Sequence, residues 1–180
     1  MKQSSLFCIL IICITFCFTS CSDKTSLQHY FVAHQETKDF ISQDFPLSMI
    51  EVDKSEFTEK QLEAYHSVDK LNFIGFKLNE NNLDTFNTEI AKVKSILKDE
   101  KYNDLMTFNI KGDRISVKYL GTDDVADELI IFGSSQEKGF GIVRVLGSDM
   151  NPEKLVTLIE AMQKSDFDKA KVEEIMNFFK

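Results

Sequence analysis

Apolar residues recur every three or four positions in three stretches of the N-terminal half, the spacing of an amphipathic helix. The first stretch predicts a helix from Ser26 to about Glu36. The second begins at Thr58, which has the capping-box partner Gln61, and predicts a helix that reaches Lys70. The residues that carry this spacing are Leu27, Tyr30, Phe31 and His34 in the first helix, Leu62, Tyr65 and Val68 in the second, and Leu83, Phe86, Ile90, Val93 and Leu97 in the third.

Two more helices are predicted near the C-terminal end. Asn151 is a favourable cap and Pro152 a favourable first helical residue, so one helix begins there. Another is expected from Phe167. Their apolar positions are Leu155, Leu158, Ile159 and Met162 in the first, and Val172, Ile175, Met176 and Phe179 in the second.

Elsewhere the pattern alternates with a period of two, which indicates strands. A short strand, Phe40 to Phe45, is ended by Pro46, which cannot donate to a sheet ladder. Another strand spans Leu71 to Leu78. Two hairpins follow, and their strands are Met106 to Ile110 with Ile115 to Tyr119, and Glu128 to Gly133 with Phe140 to Leu146.

The run from Leu129 to Phe132 is apolar at every position, which predicts a central strand covered by helices. Helices in one half and antiparallel hairpins in the other favour the α+β class. The expected architecture is an antiparallel sheet, made of the C-terminal hairpins and one or two N-terminal strands. Helices pack against that sheet in a two-layer sandwich.

The N-terminal segment has a different character. Every residue from Leu6 to Phe18 is apolar except Thr15, and these thirteen residues are too few for a comfortable membrane span. The run matches the apolar region of a secretory signal, and an uncleaved helical anchor is the alternative. The tetrapeptide Phe18-Thr19-Ser20-Cys21 resembles the lipobox of bacterial lipoproteins.

We therefore expect cleavage between Ser20 and Cys21 and acylation of Cys21, with chains such as palmitate. Two acyl signals give stable membrane attachment where one gives only marginal attachment. The predicted organisation is a signal peptide at 1–20, a lipidated tether at 21–25 and one α+β domain at 26–180. The expected location is the cell envelope, with the outer membrane favoured and its leaflet left open.

Composition and spacing exclude several kinds of site. The 29 acidic residues outnumber the 21 basic ones, and a net charge of −8 argues against nucleic-acid binding. His29 and His34 are five residues apart and His66 stands alone, so the three are interpreted as surface residues without a metal. No cofactor is expected. A weak cation site is the alternative interpretation of the acidic stretch that contains Asp123, Asp124, Asp127 and Glu128.

Two stretches carry a family resemblance: YFVAHQETKDFISQDFPLSMI, from residue 30, and DELIIFGSSQEKGFGIVRVLGSDMNPEKL, from residue 127. Here the sequence resembles the family filed as domain of unknown function 4252. The resemblance implies a lipid-anchored or secreted envelope protein of Gram-negative bacteria with a single domain. It implies no catalytic residues.

These observations predict a lipid-anchored, non-enzymatic module that binds an envelope protein or a small ligand. The first alternative is an envelope hydrolase that uses a pair of carboxylates, for which the 29 acidic residues offer many candidates. The second alternative is a sensing or regulatory component held near a signalling partner by its lipid.

Overall fold

The computed structural model describes residues 26–49, 52–110 and 113–164. Within these ranges the chain forms an open antiparallel sheet of six strands with four α-helices packed against it, which confirms the α+β class. The elements are α1 (Leu27–His34), β1 (Phe40–Pro46), a 3₁₀ turn (Leu47–Met49), α2 (Glu59–His66), β2 (Val68–Lys77), α3 (Leu83–Ile96), β3 (Tyr102–Ile110), β4 (Asp113–Gly121), β5 (Ala126–Ser135), β6 (Gly139–Met150) and α4 (Pro152–Lys164).

The strands lie in the order β1-β2-β6-β5-β4-β3, and every neighbouring pair is antiparallel. Both predicted hairpins are confirmed, β3 with β4 and β5 with β6. The prediction that Leu129 to Phe132 form a central strand is also confirmed, because β5 lies between β4 and β6. α3 connects β2 to β3, which is at the far edge of the sheet.

The sequence predicted a two-layer sandwich of helices and sheet. In the structure the helices lie on both faces of the sheet. α1 and α3 share one hydrophobic cluster with Ile74, Phe76, Ile130 and Ile142. α2 and α4 share a second cluster on the opposite face, around Leu129 and its neighbours. Since successive residues of a strand point to opposite faces, a strand that is apolar at every position needs cover on both sides.

The structure corrects the end of α2, which stops at His66 and not at Lys70. The capping box at its start is present as predicted, with Thr58 and Gln61 bonded to each other's backbone N–H. After it, Val68 already belongs to β2, and the Ser148 amide donates to the Ser67 carbonyl at 2.9 Å. Pairing with β6 thus places in a strand some residues that the local pattern assigned to the helix.

The apolar stripe of α3 is confirmed except at its first position, because the Leu83 side chain is 52 % exposed. Helical spacing decides which way a residue points, but not whether another element covers it. α4 begins at Pro152 as predicted, and the Asn151 side chain caps it by accepting from the Lys154 amide at 3.0 Å. The helix predicted from Phe167 lies outside the described residues.

Candidate ligand cleft between two helices

α1 is fixed to the sheet at its first residues. The Ser26 hydroxyl caps it by accepting from the His29 amide at 3.2 Å. The Leu27 amide, which has no partner inside the helix, donates to the Tyr102 hydroxyl at 3.1 Å. The helix then buries Leu27, Tyr30 and Phe31, so the inward stripe predicted from the sequence is confirmed.

A buried ion pair lies on the sheet face beneath α1. Arg144 of β6 donates to both carboxylate oxygens of Glu128 on β5, each at 2.7 Å, and both residues are at most 6 % exposed. The guanidinium also lies over the Phe31 ring, 5.2 Å from its centroid. This two-pronged geometry is the strongest form of an arginine–carboxylate pair, and it fixes the surface on which α1 rests.

A cleft of about 580 Å³ opens between α1 and the last turns of α3. That volume falls within the roughly 300–1,000 Å³ typical of small-molecule sites. The cleft combines two small or apolar side chains with basic and polar ones. Its lining residues are His29, Tyr30, Ala33, His34, Lys92, Ser95, Ile96, Lys98 and Asp99.

One wall of the cleft is held by a hydrogen-bonded group that we call the Glu89 cluster: Tyr30, His34, Glu89 and Lys92. Glu89 is a charged residue, yet it lies on the inward side of α3 among apolar residues and is only 7 % exposed. The Lys92 ammonium donates to one carboxylate oxygen at 2.6 Å. The other oxygen accepts from the Tyr30 hydroxyl at 3.0 Å and lies 3.1 Å from His34 Nε2. Three donors therefore compensate the burial of one carboxylate.

His34 is held on both sides of its ring. Nδ1 lies 2.8 Å from the Tyr30 carbonyl oxygen, and Nε2 faces Glu89. The Tyr30 carbonyl and the Glu89 carboxylate are both acceptors, so His34 can donate to one of them from whichever ring nitrogen carries hydrogen. The ring also stacks on Tyr30 at 4.1 Å between centroids and contacts Phe40 at 4.8 Å.

The Tyr30 hydroxyl is a hydrogen-bond donor in this cluster and stays protonated. Burial raises its pKa far above the ordinary value, and the charge of Glu89 and the hydrogen bond to it raise the pKa further. A neutral hydroxyl between two helices can donate to the carboxylate at any physiological pH. It therefore serves to position Glu89 rather than to act as a nucleophile.

The polar groups of this site are engaged with one another. Each ring nitrogen of His34 lies within 3.1 Å of an acceptor atom. The two buried carboxylates of the described chain are also both engaged, Glu89 in its cluster and Glu128 with Arg144. A paired-carboxylate hydrolase would instead need two carboxyl groups facing one substrate.

The four residues proposed as a weak cation site do not converge. Glu128 is buried and turned toward Arg144, whereas Asp123, Asp124 and Asp127 are exposed. Asp123 accepts a hydrogen bond from the Tyr119 hydroxyl at 2.5 Å. Among the described residues, no three or more histidine, cysteine or acidic side chains are grouped so as to hold a metal ion.

The predicted signal peptide, Ser20 and Cys21 lie outside the described residues, so lipidation stays a prediction. In the ranges that the structure covers, none of the helices is long and apolar enough to cross a bilayer.

Sequence reasoning missed both Glu89 and the role of His34. The surface interpretation holds for His29 and His66, which are exposed, but it is wrong for His34, whose side chain is 17 % exposed. The sequence did contain a signal that both side chains face the core. His34 falls on the inward stripe of α1, and Glu89 lies three residues after Phe86 and four before Val93, on the inward stripe of α3.

Comparison with known proteins agrees with the resemblance noted in the sequence. The model of the family described as Domain of unknown function (DUF4252) matches residues 31–158, which include the second half of α1 and all six strands. Neither the curated proteins nor the solved structures gave a significant match. The matched segment covers well over half of the chain, and the chain therefore belongs to the DUF4252 family.

Proposed function

We propose that this protein is a lipid-anchored module of the cell envelope that binds a small ligand in the cleft between α1 and α3. The observation that carries the proposal is the cleft itself: about 580 Å³ of space whose polar wall is preorganised by the Glu89 cluster. Preorganisation matters because side chains that are already fixed lose little entropy when a ligand binds.

The state of the cluster supports binding over catalysis. The polar groups of Tyr30, His34 and Glu89 are hydrogen-bonded to one another, so the wall of the cleft is fixed before a ligand enters. Lys92 is both part of this cluster and half exposed at the cleft, so it can contact a ligand without losing its partner.

The anchor and the cleft are close in sequence. α1, one wall of the cleft, begins six residues after Cys21. A lipid on Cys21 would therefore hold the cleft near the membrane surface, where envelope ligands would meet it.

Ligand binding can be tested by blocking the cleft. Ala33 is an exposed lining residue, so Ala33→Trp fills the cleft without disturbing the core. Val32→Trp is the matched control, because Val32 is the preceding residue of the same helix and is 58 % exposed outside the cleft. A small-molecule extract of the cell envelope should shift the amide resonances of α1 and α3 in the natural protein and in Val32→Trp, but not in Ala33→Trp. Equal shifts in all three proteins would disprove the site.

The anchor is tested separately by labelling cells with radioactive palmitate. The natural chain should incorporate label and sediment with membranes, whereas Cys21→Ser should do neither. Cross-linking both forms in cells and identifying the products by mass spectrometry then shows whether an envelope partner depends on the anchor. Label in both forms, or in neither, would contradict lipidation at Cys21.

A further inference from the structure

The lining of the cleft between α1 and α3 contains more lysines than acidic residues, although the chain has a net charge of −8. Lys92 and Lys98 lie at the cleft, and Asp99 is the one acidic residue among its lining. Glu89, which is buried behind this lining, offsets the charge of Lys92.

The two lysines differ in how they are held. Lys92 is ion-paired with Glu89, so its ammonium is fixed beside the cleft but already partly neutralised. Lys98 is exposed, and no side chain of the described residues forms an ion pair with it. An incoming anion would therefore meet one fixed and one unpaired ammonium group.

The helix ends do not cancel this charge. α1 begins where α3 ends, because residues of the first turn of α1 and the last turn of α3 line the same cleft. The positive end of one helix dipole thus lies beside the negative end of the other, and the two offset each other. The last carbonyls of α3 are also engaged, since the amides of Leu97, Lys98 and Asp99 donate to them.

The remaining lining can accept an apolar group. Ala33 on α1 and Ile96 on α3 face the cleft from opposite sides, and the Tyr30 ring contributes to the wall between them. Lysine side chains add their aliphatic stems to such a surface while their charged ends stay in water. A ligand with one charged end and one apolar end would match both parts of the cleft.

We propose that the cleft binds a small soluble amphipathic anion, an organic acid with one anionic group and an apolar portion. This inference rests on the proposed binding function and names the chemical class of its ligand. The anionic group would lie against Lys98 and Lys92, and the apolar portion against Ala33 and Ile96.

The test compares two probes that differ only in charge. 6-Phenylhexanoate carries a carboxylate, and 6-phenylhexanamide has the same frame without the charge. Each is titrated into the ¹⁵N-labelled full chain in a neutral detergent, with protein-free micelles as a blank, and the amide shifts of α1 and α3 give the affinity. The carboxylate should bind about fivefold more tightly, the size of one partly exposed ion pair.

Lys98→Gln should lower the affinity for the carboxylate to that for the amide, and should leave the affinity for the amide unchanged. Lys60→Gln is the control, because Lys60 is exposed on α2 on the opposite face of the sheet. High salt should act like Lys98→Gln, since it screens exposed charges.

The outcomes separate the two proposals. If both probes bind in the cleft with equal affinity and Lys98→Gln changes neither, the anion inference is wrong while ligand binding stands. If neither probe shifts α1 and α3, or if Ala33→Trp leaves their binding intact, the cleft is not a ligand site and both proposals fail.

Discussion

Removal of one partner of the buried Arg144–Glu128 pair should destabilise this protein severely. In Arg144→Met the charged group over Phe31 is replaced by an apolar side chain, and Glu128 loses both of its 2.7 Å hydrogen bonds. The carboxylate is then left 6 % exposed with no charge to compensate it. An uncompensated buried charge of this kind costs about 3–5 kcal/mol.

That cost is large relative to the stability of a domain, which is roughly 5–15 kcal/mol. Replacing both partners should cost far less stability, because Arg144→Met with Glu128→Leu removes both charges and leaves apolar groups against the hydrophobic cluster that α1 and α3 share. A double replacement of this type is often neutral or even stabilising. The expected signature is therefore a coupling energy of several kcal/mol between two substitutions that each destabilise the chain alone.

The assay is urea unfolding followed by far-ultraviolet circular dichroism, because the chain has no tryptophan to report by fluorescence. Glu63→Gln serves as the control, since Glu63 pairs with Lys154 at the surface, where both side chains are more than a third exposed. Exposed pairs contribute about 0–1 kcal/mol. If Arg144→Met cost no more than Glu63→Gln, or if the double variant were as unstable as the single one, the assignment of a dry, mutually dependent pair would be wrong.

Three further predictions concern stability measured in the same way. Gly139→Ala should cost at least ~2 kcal/mol, because φ is +116° and a Cβ would lie 1.9 Å from a backbone carbonyl oxygen. Gly133→Ala should cost about 1 kcal/mol or less, since its Cβ would meet only the end of an isoleucine side chain. If the two glycine substitutions lowered the stability equally, this reasoning would be refuted. The free energy of unfolding should fall as the pH rises above about 10, because the raised pKa of Tyr30 lets the folded chain keep a proton that the unfolded chain loses. Tyr30→Phe should make that decline shallower, and an unchanged decline would contradict the buried hydroxyl. Thr58→Ala should cost about 1 kcal/mol by removing the cap of α2, and a value near zero would show that tertiary packing alone fixes that helix start.

The sequence predicted most elements because their signals are local. Each signal acts within a few residues, whether it is a capping box, a cap followed by proline or an alternating apolar pattern. The helix starts at Thr58 and Asn151 and the two hairpins were therefore predicted correctly. The predicted element boundaries were wrong where residues distant in sequence competed for the same backbone hydrogen bonds. Residues after His66 had a helical pattern, but a ladder with β6 offered them more hydrogen bonds.

The candidate cleft could be predicted only in part. The spacing of His34 and Glu89 places each on the inward stripe of its helix, which marks both as polar residues that need partners. Their pairing across 55 positions of sequence depends on how α1 and α3 pack against each other. No local sequence pattern predicts that packing. The same holds for Arg144 and Glu128, which sit on neighbouring strands of one hairpin but become a buried pair only when α1 covers them.

By itself, the sequence thus determined the α+β class, the helix starts, the hairpins and the prediction of a lipid anchor at Cys21. The tertiary structure alone decided that helices cover both faces of the sheet, that Glu89 and His34 meet, and that a cleft opens beside them. Local structure follows from spacing and backbone preference over a few residues. A binding site instead joins side chains far apart in the chain, and their approach is set by the packing of whole elements.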